Sequence, residues 1–187
     1  MDNTTILIVV VGLAVLLGLV ALLVQTRRRK ALQDRFGPEY ERTVEERGGR
    51  RKAEAELQDR ARRVEAFAIK PLRPGDRERY IRSWTQVQAD FVDNPKVAVG
   101  RADELLSEIM AARGYPVGDF EQRSADLSVD HPVVVQNYRA GHEIAMRQAG
   151  GRAGTEDLRQ AMIHYRALFD DLVGGNEPAA REPEAAH

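Results

Sequence analysis

The chain has 187 residues, 43% of them hydrophobic, no cysteine and a formal net charge of -1; this excludes disulfide scaffolds and thiol chemistry and provides no chain-wide positive charge for nucleic acid. The near-neutral total conceals a division, because residues 27–66 carry 13 Arg and Lys against 9 Asp and Glu, whereas residues 67–187 carry 15 against 19. A basic zone suits an anionic lipid surface and an acidic one repels nucleic acid, so a bilayer is the expected partner and nucleic acid is not.

Residues 6–24, ILIVVVGLAVLLGLVALLV, are an uncharged apolar run of nineteen residues without proline. At ~1.5 Å per residue such a helix spans about 28 Å, close to the ~30 Å hydrocarbon core of a bilayer, which predicts a transmembrane helix after a short leader, residues 1–5. A cleaved secretory signal carries its positive charge before the apolar run and small residues at its end. Here Asp2 precedes the run, while Arg27, Arg28, Arg29 and Lys30 follow it without an A-x-A pattern. An uncleaved anchor is expected, with the leader outside and everything after the basic cluster in the cytoplasm. The same four side chains are candidates for contact with anionic lipid headgroups, at up to ~1 kcal/mol per charge. Ala14 and Gly18 form a small-xxx-small pair that would let two anchors approach closely.

Residues 25–69 read as a helical juxtamembrane stalk. The anchor helix can continue to Leu32 and Phe36, one turn apart where headgroups begin, before Gly37 and Pro38 stop it. A short helix follows with Tyr40 and Val44 on one face, ending in a hinge at Gly48 and Gly49. From Arg50 a long helix is predicted through Ile69, with a thin apolar stripe of Ala53, Leu57, Ala61, Val64 and Ala68. Acid-first pairs at i,i+4, Glu46 with Arg50, Glu56 with Arg60 and Asp59 with Arg63, would lace its solvated face.

Two prolines in residues 70–75 mark a linker, and residues 76–173 read as a small antiparallel helical bundle, making the fold class all-α. Its first helix is capped by Asp76 and buries Tyr80, Ile81, Trp84, Val87, Gln88 and Phe91. Trp84, the sole tryptophan, is a core anchor or the wall of a ligand pocket. Asn94 and Pro95 start the next helix, which buries Ala98, Ala102, Leu105, Ile109 and Met110 and stops at Gly114. Asp119 caps a short helix through Phe120, Arg123 and Leu127. Asp130, His131 and Pro132 are expected to open the helix that aligns Val135, Tyr138, His142, Ala145 and Ala149. A Thr155-capped helix with Leu158, Tyr165, Leu168, Phe169 and Leu172 inside closes the domain, and residues 174–187 have too little apolar surface to order.

The stretch FGPEYERTVEERGG, the segment of residues 84–93 (WTQVQADFVD) and RGYPVGDFEQRSADLSVDHPVVVQNYR together resemble a family of uncharacterised, actinobacterial-type proteins, single-pass membrane-anchored or secreted. The resemblance implies a bacterial cell-membrane location and the one-anchor architecture, and it brings no catalytic residue and no cofactor with it.

Asp126, Asp130, His131 and His142 are the side chains suited to ligand or metal binding. His131 and His142 on one helix would stand ~16 Å apart, too far for one zinc ion, and His142-Glu143 lacks the second histidine of H-E-x-x-H because Met146 holds that place. His142 is therefore expected as a hydrogen-bonded core residue, and no metal or catalytic set is assigned. Gly150 to Gly154 lacks the lysine and the preceding strand of a P-loop. Two readings remain: a non-enzymatic membrane-anchored helical module that binds a protein partner or a second copy of itself, or an enzyme or small-ligand binder using Asp126, Asp130, His131 and His142 in a bundle cavity.

Overall fold

In a computed structural model that describes residues 3–174, and their side chains except those of residues 3–10 and 14, the chain is all-α. Eight helices and no strand occur among the described residues. The chain divides into two compact units, Met1–Gln58 and Asp59–His187.

In the first unit, α1 (Asn3–Phe36) is one continuous helix. It is the one helix among the described residues long and apolar enough to cross a membrane. Gly37 at φ 48 turns the chain and Pro38 opens α2 (Pro38–Arg47), where its missing N–H costs nothing. Gly48 then closes α2 in the left-handed conformation, and the Gly48 and Gly49 N–H groups reach the Glu45 and Val44 carbonyls at 3.3 and 3.2 Å. Gly48 and Gly49, where a hinge is expected, thus form a hydrogen-bonded helix stop, after which α3 (Arg50–Glu65) begins at once.

Leu32 and Phe36 are buried by protein, as are Tyr40, Ala53 and Leu57. Burying a side chain the size of Leu57 or Phe36 contributes about 1.5–3 kcal/mol. The stripe of α3, with Ala53, Leu57, Ala61 and Val64, is accordingly narrow but covered. Glu46 pairs with Arg42 and Asp59 with Arg62, not with the residues four further on.

The second unit holds the rest of α3 and α4 (Pro74–Asp93), α5 (Pro95–Arg113), α6 (Phe120–Asp130), α7 (Val135–Ala149) and α8 (Thr155–Gly174). α4 and α5, joined by Asn94 alone, pack on each other; α8 packs on α5 and α7. Their core gathers Trp84, Leu106, Ile109, Leu127, Tyr138, Tyr165, Leu168 and Phe169. α3 stops at Glu65, short of Ile69, because residues 66–73 turn so that Phe67, Ile69 and Leu72 pack against this core and the Lys70 N–H reaches the Arg113 carbonyl at 2.9 Å. Ala68 is exposed as a result.

Other local expectations shift by a turn. α4 begins at Pro74 with Arg73 before it, so Asp76 lies in the first turn and pairs with Arg79 instead of capping. Ile81 and Gln88 face outward, which leaves the α4 seam narrower than the pattern implied. Asp130 and His131 end α6, the His131 N–H bonding to the Leu127 carbonyl at 2.8 Å, and α7 starts only at Val135. Before α8 the cap is reversed: the Asp157 carboxylate accepts the Gly154 N–H at 2.8 Å, and Thr155 is already helical. The tail, residues 175–187, and the side chain of Ala14 in the small-residue pair lie outside the described residues.

Candidate functional site

The five side chains singled out in the sequence do not share one site. Trp84 is 4% exposed and stacks on Phe169 with ring centroids 4.7 Å apart and planes at 16°. Asp126, on the inner face of α6, accepts from Arg63 Nε at 2.8 Å and from Gln122 Nε2 at 2.9 Å. Asp130 accepts the Tyr115 hydroxyl at 3.2 Å. His131 is buried with Nδ1 paired to Asp171 of α8, and its Nε2 makes no hydrogen bond. His142 lies elsewhere, on α7. The two histidines therefore belong to different helices, and no group of three His, Asp or Glu able to hold a metal ion occurs among the described residues.

His142 is the member of the set that enters a larger polar cluster. Four helices build it. α5 supplies Asp103 and Ser107 one turn apart, α6 supplies Arg123, α7 supplies Tyr138 and His142 at i,i+4, and α8 supplies Tyr165. Arg123 Nη1 donates to Ser107 Oγ, and His142 Nδ1 stands 3.9 Å from Asp103 Oδ1. The imidazole lies flat on Phe120, centroids 3.6 Å apart and planes at 7°, so stacking holds it, not the hydrogen bond expected of a core histidine. Tyr138 and Tyr165 are fully buried with ring centroids 6.3 Å apart. Gly141 lets the α7 backbone approach Tyr165 so closely that a Cβ there would stand 2.6 Å from the ring.

Burial, reinforced by the Asp103 carboxylate, raises both phenols above their usual range, so they remain donors through neutral pH. Burial lowers the His142 pKa; Arg123 acts in the same direction, while Asp103 and Glu121 oppose it. The imidazole is thus neutral at pH 7. Asp103 Oδ1, Arg123 Nε, Tyr138 Oη, His142 Nδ1 and Tyr165 Oη are all buried without a well-formed hydrogen bond, although the Tyr165 hydroxyl lies beside the Asp103 carboxylate and the Tyr138 hydroxyl beside Ser107, each close enough for a weak one. Unmatched buried polar atoms cost about 1–3 kcal/mol each, so their concentration at one junction of four helices marks the strongest polar site of the second unit.

A pH dependence follows from the His142 shift. Its folded pKa lies below the unfolded value of about 6.5, so as pH falls through that value the unfolded chain binds a proton that the folded chain does not. Stability is therefore complete above pH 6.5, falls as pH drops, and levels off once the folded imidazole protonates. Urea unfolding of the detergent-solubilised chain at pH 7.5 and 5.5 should show a smaller pH difference for His142→Gln than for the wild type; equal differences would remove His142 as the cause.

Asp103, Arg123 and Tyr165 were not singled out in the sequence as site residues. Asp103 and Ser107 punctuate the flank of an otherwise apolar α5 face, a weak signal that gains meaning only when α7 and α8 bring His142 and Tyr165 to the same place. No family model, curated protein or solved structure matches the chain.

The basic cluster after the apolar run is also divided by the fold. Arg27, Arg28 and Lys30 are exposed, whereas Arg29 is half-buried near Tyr40. Burial and the neighbouring Glu54 raise the Tyr40 pKa, with Arg29 opposing them. The Tyr40 hydroxyl donates to Glu54 Oε1 at 2.7 Å.

Proposed function

We propose that the protein is a single-pass, membrane-anchored helical module of the bacterial type its motifs resemble, presenting its helical bundle on the cytoplasmic side to a protein partner or to a second copy of itself. The observation that carries the anchor is the surface of α1. Leu13, Leu16, Leu17, Leu19, Leu22 and Leu23 are each 54–60% exposed, with no protein packed over them. Such a contiguous leucine surface is unfavourable in water and favourable in lipid. The four cations that follow it supply the direction.

The absence of cysteine makes the test clean, because a single introduced thiol is the only reporter. Asn3→Cys should react with a membrane-impermeant maleimide on intact spheroplasts, and Ala89→Cys, on the exposed side of α4, only after permeabilisation. The opposite pattern overturns the direction, and release of the chain by alkaline carbonate overturns the anchor. A chain that is strictly monomeric in detergent and cross-links to nothing in cells overturns the interaction role.

A second reading is favoured by the polar cluster around His142: binding of a small polar ligand inside the bundle, with Asp103, Arg123, Tyr138 and Tyr165 in place of Asp126, Asp130 and His131. A thermal-shift screen of small acids, amines and phosphates tests it. Stabilisation that Tyr165→Phe abolishes supports the reading, and no such compound sinks it.

A further inference from the structure

Within the first unit, α1 and α3 border an open groove of about 390 Å³ lined by Ala21, Val24, Gln25, Arg28, Glu54 and Gln58. Its lining is ordered by polarity along α1. Ala21 and Val24 are the last turn of the apolar run, Gln25 follows at once, and Arg28 is one turn further on. Glu54 and Gln58, also one turn apart, face them from α3.

Two charge facts narrow what fits. Arg28 and Glu54 line the same groove yet form no ion pair with each other, and Arg28 has no acidic partner among the described residues. Glu54 Oε1 accepts the Tyr40 hydroxyl at 2.7 Å, which fixes the carboxylate in place. A cation and an anion held apart across one groove complement a ligand that carries both signs. The two carboxamides, Gln25 and Gln58, add neutral donors and acceptors between them.

From these features we infer that the groove is a binding site for a zwitterionic phospholipid headgroup bearing a phosphate and a primary ammonium, the phosphoethanolamine type. The phosphate lies against Arg28, the ammonium donates to Glu54 and the carboxamide oxygens, and the first acyl carbons lie on Ala21 and Val24. A membrane lipid, in preference to a free phosphoethanolamine, is the source because the apolar end of the groove is continuous with the lipid-compatible surface of α1. A volume of this size lies in the range of small-molecule sites. The inference rests on α1 being inserted in a bilayer.

The test is native mass spectrometry of the full chain released from nanodiscs containing equal amounts of phosphatidylethanolamine, phosphatidylcholine and phosphatidylglycerol. Phosphatidylethanolamine should be retained in preference to both others, since choline has no N–H to donate and glycerol no positive charge for Glu54. Glu54→Gln and Arg28→Gln should each reduce that retention about tenfold, the size of one lost charge-assisted hydrogen bond. Because Glu54 also holds Tyr40, Tyr40→Phe is the control: it removes that bond, keeps the carboxylate, and should leave retention within about twofold. Glycerophosphoethanolamine added in solution should compete only at large excess. Equal retention of phosphatidylglycerol that Glu54→Gln does not change would reduce the site to a basic patch and overturn the inference. Competition at equimolar glycerophosphoethanolamine would overturn the lipid source. Absence of any retained lipid on a carbonate-resistant chain refutes the groove while leaving the anchor standing, whereas a carbonate-extractable chain removes both.

Discussion

Trp84→Ala is expected to destabilise the second unit by about 3–5 kcal/mol, the cost of deleting a large buried aromatic side chain. The indole is 4% exposed and lies nearly parallel to Phe169 at 4.7 Å, so the substitution removes both its own burial and one face of its partner's packing. Trp84→Phe should cost much less. It preserves an aromatic ring against Phe169 and removes the indole N–H, which is buried without a hydrogen-bond partner. Guanidinium unfolding of the full chain in detergent, followed by far-ultraviolet circular dichroism, measures both. A loss below about 1 kcal/mol for Trp84→Ala would show that the indole is not a core anchor and would return it to the ligand-pocket reading.

Gly114→Ala is expected to cost about 3 kcal/mol, from two sources that act together. Gly114 closes α5 at φ +99, a conformation that side chains with a Cβ rarely adopt. A Cβ there would also stand 2.4 Å from the Ala68 carbonyl oxygen. That oxygen belongs to the segment whose Lys70 N–H is bonded to the Arg113 carbonyl, so the clash cannot be relieved without disturbing the packing of Ile69 and Leu72 on the core. Gly151→Ala separates the two sources. Gly151 has φ +69 and nothing within 4 Å of the added carbon, so it should show the backbone term alone, about 1 kcal/mol. Equal losses at the two positions would mean that the approach of residues 66–70 to α5 contributes nothing to stability.

The elements were readable wherever one local rule sufficed. The apolar run of α1, proline at the start of α2 and α5, glycine after α2 and α5, and the Asp119 cap all act within a few residues of themselves, and each boundary falls where these side chains place it. The inner faces of α5 and α8 were equally legible, because a three-to-four-residue apolar period survives in any compact fold. Reading failed where a distant segment competed. Residues 66–69 continue a helical pattern, but packing of Phe67 and Ile69 on the core, with Lys70 bonded to Arg113, outweighs the last turn of α3. Asp130, His131 and Pro132 carry the composition of a helix start, yet the His131 N–H completes α6 and its ring turns to Asp171.

The candidate sites divide in the same way. The long apolar helix and its basic flank follow from hydrophobic length and charge order, which are properties of a one-dimensional chain. The polar cluster and the groove are properties of proximity. Asp103, Arg123, His142 and Tyr165 are separated by 20, 19 and 23 residues in turn, and no spacing rule joins them; only the packing of α8 on α5 and α7, and of α6 on α7, does. Arg28 is one of four similar cations in the sequence, and Glu54 one of many acids in a charged helix. What distinguishes them is that the turn at Gly37 and the stop at Gly48 bring α3 back to line a groove with the end of the apolar run. Sequence alone determined the all-α class, the long apolar helix and most of the core, because those depend on local propensity and periodic burial. Tertiary structure alone decided which polar groups meet and which cation faces an acid, because those depend on where helices far apart in the chain come to rest.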